Sequence, residues 1–459
     1  MSHSLITNFR RLSFAPRRFL VFTVLNVLSW HSLVGPVLVL FAREIQMPPS
    51  YVGFIVSFVP LSMLLAFVTV PLVERFGPKR LMVYTWIGRN FWACLAFSLP
   101  WVLWYGHPRY GWLVLMLAVL GFCFVRSIGV GGWFPWLHEI VPDRERSAYF
   151  GAESSVEHGM IVVANVLHLI VLSFNPDLYH FLFIYGIGIT AGLASLAFMV
   201  RVPGGRQTPP HQRMGMSSAA YRVVLADRSF LIFVALATLG FASISFLTTT
   251  SVLYMRDALH QSPRFVMMVL TANSTGVFLT VRYWSNFAEH QGTARGVFLA
   301  MLGLGLLEAA LLLLAPGAPW TLYLLPPTFV FAACLAVAFS VIMHRAMLDY
   351  VQPEARVAYT NVWLLGASLA LGLSPVAVGF AIDYLDLWGY RLCFAFAALC
   401  ALTVSGLGAR WLRDATPLDR ETGRALDPLV PVQAVARILW ISLGLHASSR
   451  RKPDTHDET

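Results

Sequence analysis

Long apolar runs separated by short polar breaks follow one another from near residue 19 to near residue 412. A bilayer core of ~30 Å takes about 20 residues of helix, because lipid offers an exposed backbone no hydrogen bonds. The runs have that length, and their pattern predicts spanning helices over 19–42, 51–74, 80–104, 111–136, 150–174 and 179–200. Beyond a polar stretch it predicts six more, over 229–254, 263–285, 295–315, 319–345, 357–382 and 388–412. The short alternating segments of a membrane barrel do not appear. The expected fold class is an all-α integral membrane protein with twelve transmembrane helices in two six-helix halves.

The same pattern divides the chain. Residues 1–18 form an N-terminal segment, 19–200 the first half, 201–228 a central loop, 229–412 the second half and 413–459 a tail. Gly204, Gly205, Pro209 and Pro210 mark the loop. The tail contains VQAVARILWISLGLHASSRRK, whose apolar part is too short to span and reads as an interfacial helix with a basic end. Arg10, Arg11, Arg17 and Arg18 precede the first run. That run exceeds a signal-peptide core and lacks a small-residue cleavage site, so it reads as an uncleaved helix.

Composition agrees with a membrane setting. Hydrophobic residues make up 57% and charged residues 12%, against about 25% charged in soluble domains. The net charge of +10 is spread in short clusters between apolar runs, with no nucleic-acid motif among them, so it reads as topology rather than nucleic-acid binding. With the N-terminus inside, inner segments hold the N-terminal arginines, Arg75, Lys79, Arg80, Arg144, Arg146, Arg201, Arg206, Arg213, Arg222, Arg228, Arg282, Arg295, Arg345 and Arg356. Outer loops hold only Arg43, Arg109, Arg256, Arg264 and Arg391. Both termini are therefore expected in the cytoplasm. Apart from Lys79 and Lys452 every basic residue is arginine, which suggests a GC-rich bacterial genome and hence an inner-membrane location. Cys94, Cys123, Cys334, Cys393 and Cys400 lie in apolar runs without CxxC spacing and read as packing residues.

The two halves repeat each other. EIVPDRERSAY follows the fourth helix and DYVQPEARVAY the tenth. Glu139 and Asp349, Arg146 and Arg356, and Tyr149 and Tyr359 are separated by one and the same interval. After the second helix comes ERFG from Glu74 to Gly77, and after the eighth comes EHQG from Glu289 to Gly292. Repeated helical halves are the architecture of alternating-access transporters, with a substrate site between the halves near mid-membrane.

VPLVERFGPKR, residues 70–80, resembles the signature loop between helices two and three of the major facilitator superfamily. Glu74 stands where Asp is usual and Val70 replaces a leading Gly, while Arg75, Gly77, Lys79 and Arg80 match. The Glu139/Arg146 and Asp349/Arg356 spacing is similar to that of sugar-porter members. The resemblance covers residues 19–412. It implies that Glu74, Arg75, Gly77, Glu139, Arg146, Glu289, Gly292, Asp349 and Arg356 form a cytoplasmic network that locks an outward-open state. It also implies that helices one, four, seven and ten line a central cavity.

On those helices Asn26, His31, Arg126, Thr248 to Thr250 and His344 are the residues to weigh. A charged side chain at membrane depth costs several kcal/mol unless it is paired or faces water, so it is a functional candidate. Arg126, in GFCFVRSIGVGGW, is the first of these. It resembles the superfamily's helix-four Arg associated with proton coupling, although Gly129 comes one position early; a buried structural pair is the alternative. Glu153 and Glu157 share a face of helix five, and Glu157 reads either as a proton carrier or as a static partner of Arg126 or Arg89. His31 could bind substrate, titrate or simply pack; His158 and His168 are weaker candidates. Arg89 and Asn90 read as a structural pair, and Glu308 has no evident partner. Met343, His344 and Met347 raise a soft-metal path, but packing is the better reading.

No G-x4-G-K-[ST] nucleotide loop and no hydrolase triad or metal-hydrolase spacing is present. The expectation is therefore not an enzyme, with no cofactor and no metal site. The expected activity is secondary transport of a small solute by a lipid-embedded monomer, with proton symport ahead of uniport. The alternatives are a non-transporting sensor or assembly factor, or a copper importer.

Overall fold

The structure, a computed structural model, describes residues 12–142, 145–205, 218–352 and 355–412. The expected interfacial tail helix, together with Arg10, Arg11, Arg144, Arg206 and Arg213, lies outside them. Among the described residues every regular element is helical.

In chain order these are α1 (Phe14–Val34), α2 (Val37–Glu44), α3 (Pro49–Ser62), α4 (Val70–Phe76), α5 (Pro78–Cys94) and α6 (Leu99–Tyr105). Then come α7 (Pro108–Val130), α8 (Trp133–Ile140), α9 (Arg146–Val171), α10 (Leu178–Val200), α11 (Ser218–Ala226) and α12 (Arg228–Leu253). The last five are α13 (Pro263–Gln291), α14 (Thr293–Leu311), α15 (Pro319–Tyr350), α16 (Arg356–Leu385) and α17 (Leu387–Trp411).

Among the described residues ten segments are long and apolar enough to cross a bilayer. The expected second and third helices are instead interrupted: 3-10 turns at Met63–Val68 and Leu95–Ser98 split them. Proline accounts for the breaks. Pro60 lies inside α3 and removes one ladder donor, while Pro71 and Pro100 sit in the first turns of α4 and α6, where a missing N–H costs nothing. The first helix bends at Gly35-Pro36: Pro36 has no N–H, and a Cβ on Gly35 would collide with the His31 carbonyl. Part of the expected central loop is helical, as α11.

Pro375 inside α16 likewise frees the Leu371 carbonyl, which accepts from Ser245 Oγ at 3.2 Å. At membrane depth such a substitute donor is what makes a helical proline tolerable.

Within residues 12–205, α1 packs on α9 and α10, α5 on α7 and α10, and α3 on α7. Within residues 218–412, α12 packs on α16 and α17, α14 on α15 and α17, and α13 on α15. The most extensive contacts between these sets are α3 against α16 and α9 against α13.

The sequence repeat reappears in the backbone. Gly77 and Gly292, the last residues of ERFG and EHQG, take φ of 79° and 84° with ψ of 146° and 162°. That left-handed, extended geometry suits glycine alone. α9 and α16 both begin at the aligned arginines, Arg146 and Arg356, and the aligned Tyr149 and Tyr359 are both buried.

One loop carries a clear cap. Asp177 Oδ1 accepts from the backbone N–H of Tyr179 and His180 at 3.0 and 3.2 Å, starting α10. Hydrogen bonding to His180 holds the Asp177 carboxyl below its usual range. Asp177→Ala is expected to cost about 1 kcal/mol by thermal melting in detergent. Because the folded carboxyl is the stronger acid, this contribution is present at neutral pH and fades as pH falls through the carboxylate range.

Candidate functional site

The polar interior of the first set of helices is built by α1, α5 and α7. Asn26 on α1 accepts from Trp86 Nε1 at 3.0 Å and from Arg89 Nη2 at 2.9 Å. Asn26 therefore faces α5 and supports it, behind the place expected for a cavity residue. Arg89 is fully buried, with its guanidinium carbon 4.4 Å from the Trp86 ring centroid and 5.2 Å from that of Phe122. Its Nε and Nη1 have no hydrogen-bond partner.

Arg126 lies on α7, one turn beyond Phe122, and is half-buried. Its guanidinium carbon stands 6.0 Å from the Trp30 ring centroid. Its Nε is buried without a partner. Its electrostatic neighbours include Arg89 and Glu157. Glu157 is half-buried on α9. No described ion pair joins it to Arg126 in this conformer. Glu153, one turn earlier, instead accepts from Tyr149 Oη at 3.3 Å.

His31 takes part in a chain of bonds that crosses between the two sets of helices. Its Nε2 is 2.9 Å from Asn165 Oδ1 on α9. Asn165 Nδ2 donates to Ser274 Oγ (3.1 Å) and the Leu270 carbonyl (3.4 Å) on α13. The Asn165 oxygen is thus left as the acceptor, and His31 Nε2 donates to it. His168 stacks parallel to His31 at 6.1 Å and pairs with Ser32 Oγ at 2.9 Å. His168, a weaker candidate from the sequence, is fully buried beside His31.

The second set contributes less. His344 is exposed on α15, with Nδ1 at 2.7 Å from the Ser340 carbonyl and its ring edge-on to Phe241 and Trp363. Met343 and Met347 are buried. A face pairing sulfur with imidazole is therefore not formed. Among the described residues no cluster of three His, Cys, Asp or Glu could hold a metal. Thr248 is exposed, while Thr249 and Thr250 are buried. Glu308 is fully buried on α14 and accepts from Ser243 Oγ at 3.0 Å.

The charge arrangement that sequence reasoning missed sits at the bundle end carrying residues 45–48 and 259–262. Arg43 Nε meets Asp257 Oδ1 at 2.9 Å, and Arg256 Nη2 meets Glu44 Oε2 at 3.5 Å. Arg43 also donates to the Met47 carbonyl. Arg43, Arg256, Asp257 and His260 line a cavity of about 300 Å³. Two Arg-acid pairs, one ending α2 and one in the π-helical turn Tyr254–Ala258 after α12, thus bind each other reciprocally, as in a two-fold interface. The signal was present in the sequence as ARE at 42–44 and MRD at 255–257.

At the same end Ser50 N donates to Asp383 Oδ2 at 2.8 Å. Gly53 faces the Pro375 carbonyl, and Gly379 faces the Pro49 carbonyl, each so closely that a Cβ would collide with backbone.

The expected latch residues lie at the opposite end. Glu139 is exposed and accepts from Gly205 N at 2.7 Å, tying residues 201–205 across the base of the first set. Lys79 Nζ donates to the Val202 carbonyl at 2.5 Å. Glu74 is half-buried, and Arg75 and Asp349 are exposed. The side chains of Arg146, Glu289 and Arg356 lie outside what is described.

The Major Facilitator Superfamily profile matches residues 19–254 and 236–448. Solved structures of the nucleoside transporter NupG share the fold. A point mutant of NupG superposes with a TM-score of 0.66 at 11% identity, covering 87% of this chain and 100% of that one. Another NupG structure gives 0.63 at 12% identity, covering 87% and 99%. No curated protein matches the sequence.

Proposed function

We propose that this chain, which belongs to the Major Facilitator Superfamily, carries a small solute across a membrane by alternating access. Membership places it among membrane transporters rather than enzymes. The observation that carries the mechanism is the set of polar and close backbone contacts that joins the two sets of helices at the 45–48 end. The reciprocal Arg-acid pairs, the Ser50–Asp383 bond and the two glycine approaches all gather at the 45–48 end. A transporter closed on one side has this arrangement, and the other state must break it.

Twelve spans in two halves follow if the interrupted segments 49–76 and 78–105 cross as well. The matching helix contacts and the matching Gly77 and Gly292 geometry support that count. The arginine asymmetry favours cytoplasmic termini, which makes the 45–48 end the outer one. On this orientation the contacts at the 45–48 end belong to an inward-facing state, and in our reading the loops of Glu74, Glu139, Glu289 and Asp349 close the inner side in the other state. Glu74→Ala is then a conformational variant rather than a binding variant.

Arg126 is the substrate-facing residue of this reading. Glu157 supplies proton coupling by changing charge beside it, with Arg126 and Glu153 as the charged groups in its reach. A change of charge at Glu157 alters how strongly Arg126 attracts solute, and ~1.4 kcal/mol of difference changes occupancy tenfold. The test is uptake and counterflow in proteoliposomes against a panel of small solutes. Glu157→Gln is expected to keep transport but flatten its dependence on pH; an unchanged pH profile removes Glu157 as the carrier. A chain that exchanges no solute returns the function to the sensor or assembly reading.

A further inference from the structure

Arg89 and Arg126 are two guanidiniums in one water-poor interior. They are electrostatic neighbours, and packing explains why. The α5 face bearing Thr85, Gly88 and Arg89 lies against the α7 face bearing Phe122, Val125 and Gly129. Arginine does not neutralise itself by losing a proton, so both charges persist at any physiological pH.

The compensation present is incomplete. Arg89 has one hydrogen bond, from Nη2 to Asn26, and two aromatic faces, Trp86 and Phe122. Its Nε and Nη1 stay unpartnered although the side chain is fully buried. Close by, Asn90 Oδ1 and Ser29 Oγ are also buried without partners. No described ion pair or hydrogen bond joins a carboxylate to Arg89, and the acid set near Arg126 is Glu157. Two cations are therefore set against one acid.

Uncompensated like charges in a low-dielectric interior are unfavourable. An occupant that relieves them has to be negative, and a cation is repelled. We propose that the transported solute carries a carboxylate, gripped by Arg126, and that Arg89 is the positioning residue whose buried charge enforces anion selectivity. This rests on the transport reading above. Arg126 is half-buried beside the Trp30 ring with its Nε unpartnered, and the planar fork of a guanidinium matches a planar carboxylate. Arg89 is sealed and touches no solute. It acts by field, from behind Trp86 and Phe122.

The test uses the full chain in detergent and in proteoliposomes, with benzoate and lactate as probes against benzamide and lactamide. These pairs keep shape and remove charge. The expected result is that a carboxylate raises the melting temperature or is taken up while its amide is at least tenfold weaker. Arg126→Gln should lose that response at least tenfold, and Arg126→Lys should restore part of it. Arg89→Gln should narrow the carboxylate-to-amide ratio without abolishing uptake. If Arg89→Gln does not fold, the wild-type ratio and the Arg126 series decide alone. Equal responses to acid and amide, a wild-type response in Arg126→Gln, or no response to either carboxylate overturn the proposal. The transport reading fails separately: a carboxylate that stabilises the protein but is never taken up leaves the anion site standing. Uptake of a neutral or cationic solute without any carboxylate response leaves transport standing and removes the anion site.

Discussion

Arg43→Glu is expected to push the 45–48 end of the bundle open, and Asp257→Arg added to it is expected to close that end again. In the wild-type chain Arg43 and Asp257 are 2.9 Å apart and about four-fifths shielded from solvent, with 22% and 17% of their side chains exposed. Exposed pairs contribute ~0–1 kcal/mol, and breaking a buried pair costs about 3–5 kcal/mol. A partly shielded pair turned into a like-charge contact falls between these limits, at about 2–3 kcal/mol. Since ~1.4 kcal/mol is tenfold, the ratio of closed to open conformers should fall about 30- to 150-fold. The double variant restores opposite charges with exchanged sides and should recover most of the loss. Spin labels at the exposed Arg109 and Arg264, on the two sets of helices at this end, report the opening as a longer distance. Distances that stay as in wild type in Arg43→Glu show that the pair does not hold the end. Loss in the single variants without recovery in the double one shows a local effect on each helix, not a gate.

These four charges show why part of the molecule was legible in the sequence and part was not. The spans could be read because a bilayer demands a fixed length of apolar helix. The loops ending at Gly77 and Gly292 could be read because each needs a left-handed residue, and only glycine takes it cheaply. The breaks at Pro60 and Pro71 were also visible in principle, since proline removes a donor wherever it stands. Arg43 and Arg256 were counted as topological charges, because nothing local says that the ends of α2 and α12 meet. Their pairing depends on closure of the bundle, a property of the conformer.

The same limit applies to the candidate site. A helix that is apolar all round carries no stripe to mark which side faces a neighbour. Asn26 and His31 therefore looked equivalent on α1, although Asn26 turns to α5 and His31 to α9. Arg89 was assigned to a peripheral structural pair, and its seat behind Trp86 and Phe122 became evident only from the packing of α5 on α7. Arg126 was legible because a guanidinium in the middle of an apolar run is expensive wherever it points.

The glycines at the α3–α16 contact carry the other large expected effect. Gly53 and Gly379 each lie against the partner helix's backbone, at the Pro375 and Pro49 carbonyls. Small residues let membrane helices approach this closely, and the contact has no flexible side chain that could yield. Gly53→Val is therefore expected to hold α3 away from α16 in the conformer closed at this end. Overpacking costs about 1–3 kcal/mol, so closure should become about 5- to 150-fold rarer and solute counterflow should fall accordingly. Gly379→Val should act alike from the other helix. Gly372 supplies the control, because a Cβ there meets the Leu61 side chain rather than backbone, and leucine can change rotamer. Gly372→Ala should stay within about twofold of wild type. Melting curves in detergent separate the gating effect from misfolding: Gly53→Val should keep a cooperative transition while the Arg109–Arg264 distance lengthens. Full counterflow in Gly53→Val would mean that α3 and α16 need not meet in the transport cycle, and would remove this contact from the gate.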